Sequence, residues 1–190
     1  WSLISILASY VIPFIKLTKE PEKNQWNLLK YILNLNKDTH FGRNHNFISI
    51  HSYKDFQNAV PINEYEDLRS YINHQEQTGE PYLNSQQPVM YAQTSGTTGE
   101  PKNIPILNAS IESYKHSQNL FSYTQYSYDK EVYSGKLLAI VSPDIEGTLS
   151  TGTPYGAISG LIYKSMPRLL RYSYLLPFEI FTISDYDLKY

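Results

Sequence analysis

One run in this chain has the residue types and spacing for phosphate chemistry: Tyr91-Ala92-Gln93-Thr94-Ser95-Gly96-Thr97-Thr98-Gly99-Glu100-Pro101-Lys102. A loop that holds a triphosphate must surround its oxygens with many short donors. Gly96 and Gly99 let backbone N–H groups come close, because no Cβ stands in the way and positive φ is open to them. Ser95, Thr97 and Thr98 add hydroxyls that can rotate toward an oxygen. Lys102 adds a mobile positive charge that can follow phosphates as they become a leaving group. Ser, Thr and Gly are also the ordinary residues of a surface turn. Seven identities in fixed order, Ser-Gly-Thr-Thr-Gly-x-Pro-Lys, behind the apolar-leaning run from Val89 to Thr94 argue against that plainer account. The run is not a Walker loop, because its lysine follows Gly99 by three residues, through Glu100 and Pro101, and does not precede Ser or Thr at a helix mouth. Pro101 and Pro105 predict strand–loop–strand, so no helix N-terminus is required to face the phosphates.

Other residues that could do chemistry have simpler explanations. His40 and His45, with His51 nearby, match no common ligand spacing, and a structural or surface role is expected for them. Arg43 is expected to pair with a nearby carboxylate from a turn. Glu64, Glu66 and Asp67 stand at a helix start, where the helix dipole accounts for them without catalysis. Gly152-Thr153-Pro154-Tyr155-Gly156-Ala157-Ile158-Ser159-Gly160 follows a predicted core strand, near the sheet edge where ligands of α/β folds gather. It either lines a pocket for an acyl group or forms a glycine-rich structural turn.

The elements that must position the loop follow from periodicity and caps. Leu3, Ile4, Leu7, Ala8, Val11 and Ile12 fall at helical spacing, with Ser2, Ser5 and Ser9 toward the other side, so residues 1–17 are expected to form an amphipathic helix packed on a core. The segment is too short and too interrupted for a membrane span, which needs roughly 20 apolar residues. After the polar link from Thr18 to Asn24, Trp26, Leu29, Ile32 and Leu33 predict a second amphipathic helix. Ser52 with Asp55, and Asn63 with Glu66, predict capped helices over 53–58 and 64–74, kept apart by Pro61. Beyond the loop, Asn103-Ile104-Pro105-Ile106 is expected to be only briefly extended, because Pro105 has no ladder donor. A helix then starts at Asn108 or Ser110 and runs to about Tyr123, with Ile111, Tyr114, Leu120 and Phe121 buried. Leu137 to Val141 has the pattern of a strand covered on both faces, residues 147–160 are expected to be irregular, and Leu161-Ile162-Tyr163 is expected to return to the sheet. Helices followed by short strands point to an α/β architecture.

Composition sets outer limits. The 190 residues are enough for a substantial core, and a net charge of -2 with interspersed signs offers no footprint for nucleic-acid phosphates. No cysteine is present, which removes disulfides, thiolate metal sites and thiol nucleophiles, and agrees with a reducing, cytoplasmic setting. The chain begins at Trp1, without a methionine, and is expected to be an excerpt of something longer.

The loop string resembles the phosphate-loop signature of the adenylate-forming enzymes, which include acyl-CoA synthetases, peptide-synthetase adenylation domains and luciferases. Its flanks narrow the resemblance: Thr39-His40-Phe41-Gly42-Arg43-Asn44-His45, Ile50-His51-Ser52-Tyr53-Lys54-Asp55-Phe56, Val60-Pro61-Ile62-Asn63-Glu64-Tyr65-Glu66-Asp67, Thr78-Gly79-Glu80-Pro81, Lys102-Asn103-Ile104-Pro105 and Ile183 to Tyr190. These are similar to the N-terminal part of the acyl-acid amido synthetase family, the auxin-responsive Gretchen Hagen three family, and the likeness covers nearly all of residues 24–190. The resemblance implies the N-terminal part of a luciferase-like large domain, with a helical lead-in over 1–87 and a strand, phosphate loop and mixed sheet over 88–190. It implies an ATP-dependent ligase in which a carboxylic acid is activated as an acyl-adenylate and then passed to an amine or amino acid as an amide, with Mg²⁺ on the phosphates. Neither nucleic acid nor membrane is an expected partner. Ser95, Gly96, Thr97, Thr98, Gly99 and Lys102 are the residues that match a functional motif, as phosphate binders, with Lys102 also catalytic. The family's adenine, ribose and magnesium residues and its C-terminal domain would lie beyond Tyr190, so this chain alone is not expected to complete the reaction. An acyl-CoA type of ligase, or a truncated non-catalytic homologue that binds nucleotide, are the competing readings.

Overall fold

The computed structural model describes residues 2–94, 99–166 and 171–183. The chain divides into two compact units, Pro13–Pro88 and Trp1–Ile12 with Val89–Tyr190. Helix α1 (Ser2–Leu17) crosses the division at Pro13, a residue that cannot donate to the helical ladder. Of its expected apolar face, Val11 is buried and Ile12 exposed, and the side chains of Leu3, Ile4, Leu7 and Ala8 lie outside the described residues; beyond Ile12 the helix is exposed to Leu17. Spacing identifies an apolar face without saying what covers it. Among the described residues, no helix is long and apolar enough to cross a membrane.

Pro13–Pro88 is helical. α2 (Pro21–Asn36) starts at Pro21, a favoured first helical residue, and of its expected apolar face Leu33 is buried, Trp26 and Leu29 are half-buried, and Ile32 is exposed. Thr39 is buried and caps α3 (His40–Asn44): its Oγ1 accepts the Gly42 N–H at 2.9 Å and donates to the Asn36 carbonyl at 2.8 Å. A 3₁₀ turn (Phe47–Ser49) follows, then α4 (Tyr53–Ala59), whose start is held as expected by Ser52 Oγ, which accepts the Asp55 N–H at 3.1 Å. Asp55 in turn accepts the His51 N–H at 3.0 Å, and this bond first, with the Ser52 side chain second, holds its carboxyl below the usual carboxylate range. α5 (Tyr65–Thr78) is capped at Glu64, one residue later than the sequence suggests. The expected cap, Asn63, turns its amide back to the Pro61 carbonyl at 2.7 Å, and Asp67 takes the Glu64 N–H at 2.8 Å. Gly79 ends the helix at φ +74°, a left-handed conformation that a glycine adopts without strain. Phe41 is buried, as are Leu33, Ile50 and Ile72, and stands edge-on to Phe47 and Tyr71 at 5.9 and 5.3 Å between ring centres.

The other unit carries a mixed four-stranded sheet in the order β2-β1-β4-β3, with β1 Met90–Thr94, β2 Lys102–Ile106, β3 Gly147–Thr148 and β4 Pro154–Gly156. β1 is antiparallel to β2 and parallel to β4, while β3 and β4 form an antiparallel hairpin. β2 is a full strand where only brief extension was expected. Pro105 is tolerated because β2 is an edge, so a missing donor there leaves no neighbouring strand unpaired. Helices before and after the strands of a mixed sheet are the α/β class that the sequence predicts.

Four expectations fail in this unit. α6 (Asn108–Tyr128) begins where expected and runs a turn longer, but none of its residues is buried, and Tyr114 and Phe121 are 41% and 56% exposed. The run Leu137–Val141 is not a covered strand: it makes one parallel bridge, Leu137 with Tyr174, and Leu138 and Ile140 are 66% and 65% exposed. The place beside β1 belongs to β4, in the glycine-rich stretch expected to be irregular. Leu161-Ile162-Tyr163 lies in a helix, α7 (Ile158–Ser165), and not in the sheet. Gly160 explains that helix, because a Cβ there would meet the Ser142 carbonyl and the Asp144 N–H, so α7 packs on the Ser142–Asp144 backbone only with a glycine at this point. An alanine inside a helix ordinarily stabilises relative to glycine. Gly160→Ala is expected to destabilise by about 1–3 kcal/mol, the range of overpacking, as checked by denaturant unfolding.

Tyr163 of α7 is buried, donates to the Leu176 carbonyl at 2.9 Å and packs among Tyr174, Phe178 and Phe181. Burial raises the pKa of both Tyr163 and Tyr174 above the ordinary tyrosine value. A raised folded-state value means that the stability linked to these groups is present below the unfolded tyrosine pKa and is lost as pH rises through the folded one. Phenolate absorbance is therefore expected to show Tyr163 and Tyr174 as two late steps, ionising above the ordinary tyrosine value, with loss of the cluster as they do. Tyr163→Phe should remove one of the two late steps.

Candidate functional site

The phosphate-loop candidate joins β1 to β2. Ser95, Gly96, Thr97 and Thr98 lie outside the described residues; Gly99 and Lys102 lie within them, both exposed, with Lys102 opening β2. The antiparallel register runs Met90↔Ile106, Tyr91↔Pro105, Ala92↔Ile104, Gln93↔Asn103 and Thr94↔Lys102, so Thr94 and Lys102 face each other where the loop begins and ends. Alternation places Met90, Ala92, Thr94 and their partners on one face, and Tyr91, Gln93 and theirs on the other. Tyr91 is almost fully buried and anchors its face, while Met90 and Ile106 anchor the opposite one.

β4 lies parallel to β1, with Tyr155 opposite Tyr91 and Gly156 opposite Ala92. The carboxyl ends of both strands therefore open at the same edge of the sheet, the edge from which α/β folds present ligand-binding loops. The loop leaves β1 there, and α7 starts two residues past Gly156 at the same end.

The glycine segment near that edge has structural work. Gly152 turns the β3–β4 hairpin at φ +96°, with its N–H donating to the Leu149 carbonyl at 2.9 Å, and Gly156 crosses the Asp144 backbone where a Cβ would collide. These positions fit the structural turn. Asp144, which the sequence did not single out, is buried and accepts from Lys164 Nζ at 2.7 Å, tying the end of the 137–141 run to α7.

The remaining candidates sit in the helical unit. His40 stacks on Tyr82 at 3.9 Å between ring centres. His45 Nδ1 lies 2.7 Å from the Ala59 carbonyl, and a carbonyl can only accept, so Nδ1 carries the proton. His51 uses its main-chain N–H on Asp55. Arg43 does not bond the expected carboxylate: its Nη1 donates to the Asp38 main-chain carbonyl at 2.7 Å. Glu66 pairs with Arg69, and Glu64 and Asp67 close the helix start. Among the described residues no three His, Asp or Glu side chains are grouped to hold a metal.

Comparison with known proteins places these features. The model of the GH3 family N-terminal domain matches residues 12–190. A curated relative from Arabidopsis thaliana, indole-3-acetic acid-amido synthetase GH3.4, is 28% identical over 152 residues, 79% of this chain and 26% of its own length. Among solved structures, GH3.15 acyl acid amido synthetase superposes with a TM-score of 0.75 at 24% identity, over 92% of this chain and 31% of that one, a likeness of fold. The chain thus spans between a quarter and a third of the length of these relatives.

Proposed function

Because this chain belongs to the GH3 family, whose N-terminal domain it matches over residues 12–190, we propose that the protein is an ATP-dependent, carboxylate-activating ligase that joins an acid to an amine or amino acid as an amide. The observation that carries this reading is the setting of the Ser95–Lys102 string, which links the carboxyl end of β1 to an antiparallel partner and ends in an exposed glycine and an exposed lysine. The relative named as an indole-3-acetic acid-amido synthetase supports the acid-plus-amine class.

In this reading ATP supplies a phosphoanhydride: a carboxylate oxygen bonds to the α-phosphorus, the α–β bridging P–O bond breaks, and pyrophosphate leaves. The described residues fit the phosphate end of that substrate. Among them nothing lies within 4 Å of the position a Cβ would take on Gly99, so a phosphate oxygen has access to its main chain. Lys102 offsets the charge that builds on the departing pyrophosphate, and Ser95, Gly96, Thr97 and Thr98 are assigned the remaining phosphate contacts. The acceptor nitrogen then attacks the acyl carbon, the bond to AMP breaks, and the amine gives up a proton to solvent. Mg²⁺ bound with ATP would offset part of the charge on the phosphates. The described residues group no set of protein ligands for it.

Product analysis tests the reading. The intact natural protein, supplied with ATP, a panel of carboxylic acids and amino acids, is expected to release AMP and an acyl amide identifiable by mass spectrometry. A thioester formed only when CoA is supplied would assign the protein to the acyl-CoA type of ligase instead.

A further inference from the structure

Gln93 stands directly opposite Asn103, one pair inside the hairpin's last pair, Thr94↔Lys102. Their amides meet: Gln93 Nε2 donates to Asn103 Oδ1 at 3.2 Å, and both residues are half-buried. The phase of the ladder gives this bond its importance. Pro105 has no N–H and lies two residues along β2 from Asn103, which puts Tyr91↔Pro105 and Gln93↔Asn103 in the non-hydrogen-bonded phase. At such a pair no main-chain bond joins the strands and the facing side chains stand closest. On the other face, packing thins toward the loop: Met90 and Ile106 are buried, Ala92 is half-buried, and Ile104, Thr94 and Lys102 are exposed. Apolar burial therefore holds the far end of the hairpin and not its mouth.

From this geometry we propose that Gln93 and Asn103 are positioning residues, an amide clasp that fixes the twist of the hairpin at its mouth and with it the reach of Lys102. The proposal rests on the phosphate-binding reading of the loop. The clasp acts through Lys102 and touches no reacting atom. An offset of about 1 Å at a reacting group lowers rates by up to about 10²-fold, so loss of this one bond is expected to lower the rate about tenfold.

The test measures ATP–pyrophosphate exchange by the intact protein with its best acid. Gln93→Leu is expected to lower kcat about tenfold with the KM for ATP within about twofold, the pattern of an interaction used in the transition state. Exchanging the two amides, Gln93→Asn with Asn103→Gln, is expected to recover most of the loss. In a Lys102→Ala background Gln93→Leu should have no further effect, because a positioning residue is coupled to the group it positions. A merely structural role would lower the active fraction equally in both backgrounds. Equal losses with and without Lys102, or a Gln93→Leu variant as active as the unchanged protein, overturn the proposal. If the unchanged protein shows no exchange with any acid, the underlying reading fails, and amide hydrogen exchange decides the clasp alone. Gln93→Leu is expected to speed exchange at Thr94 and Lys102 about tenfold while Met90 and Ile106 keep their protection. Unchanged protection at Thr94 and Lys102 overturns it.

Discussion

Lys102→Ala in the intact protein is expected to slow carboxylate-dependent ATP–pyrophosphate exchange by about 10²-fold, the size of effect seen when one preorganised charge-stabilising group is removed from a transition state. Lys102 opens an edge strand, is exposed, and faces Thr94 across the hairpin mouth. Its loss removes a cation without emptying a core, so the melting temperature should stay within a degree or two of the unchanged protein. Lys102→Arg keeps the charge on a broader, planar head and is expected to recover only part of the rate. An unchanged exchange rate in Lys102→Ala would remove this residue from the mechanism.

The second large effect concerns stability. Gln75 of α5 is 2% exposed, and its side chain is fully used: Nε2 donates to the Asn84 and Gln86 carbonyls at 3.0 Å each, and Oε1 accepts the Leu83 and Asn84 N–H groups at 2.9 Å each. One amide thus holds the loop that follows Gly79 by four main-chain groups. Gln75→Leu fills similar space and strands all four. Each fully buried orphan costs about 1–3 kcal/mol, and because part of this loop stays hydrated the total is expected near 3 kcal/mol. Gln75→Glu keeps the acceptor but aims a carboxylate at two carbonyls, so it should destabilise at neutral pH and recover as the carboxyl is protonated. Denaturant unfolding checks both variants; a Gln75→Leu protein within about 1 kcal/mol of the unchanged one would contradict this assignment.

The features legible in the sequence are those written in local chemistry. Ser52 with Asp55 gives the start of α4, Pro101 and Pro105 give strand–loop–strand, and Asn108 gives the start of α6. What the sequence hides depends on partners far along the chain. Gln75 looks like any polar helical residue until the loop over 83–86 comes back to meet it. Gln93 and Asn103 become a pair only through the strand register. Leu137–Val141 has the composition of a buried strand, yet β4 takes the place beside β1, because Gly156 and Gly160 let the chain cross the Ser142–Asp144 backbone closely. Arg43 and Asn63 show the same limit on a smaller scale: each has a polar partner as expected, but a main-chain carbonyl supplies it.

The most direct test of the central claim is ATP–pyrophosphate exchange by the intact protein, with and without a carboxylic acid. Exchange is expected only when an acid is present and is expected to fall about 10²-fold in Lys102→Ala. Exchange that ignores the acid, or none with any acid while the folded protein still binds ATP, would contradict it.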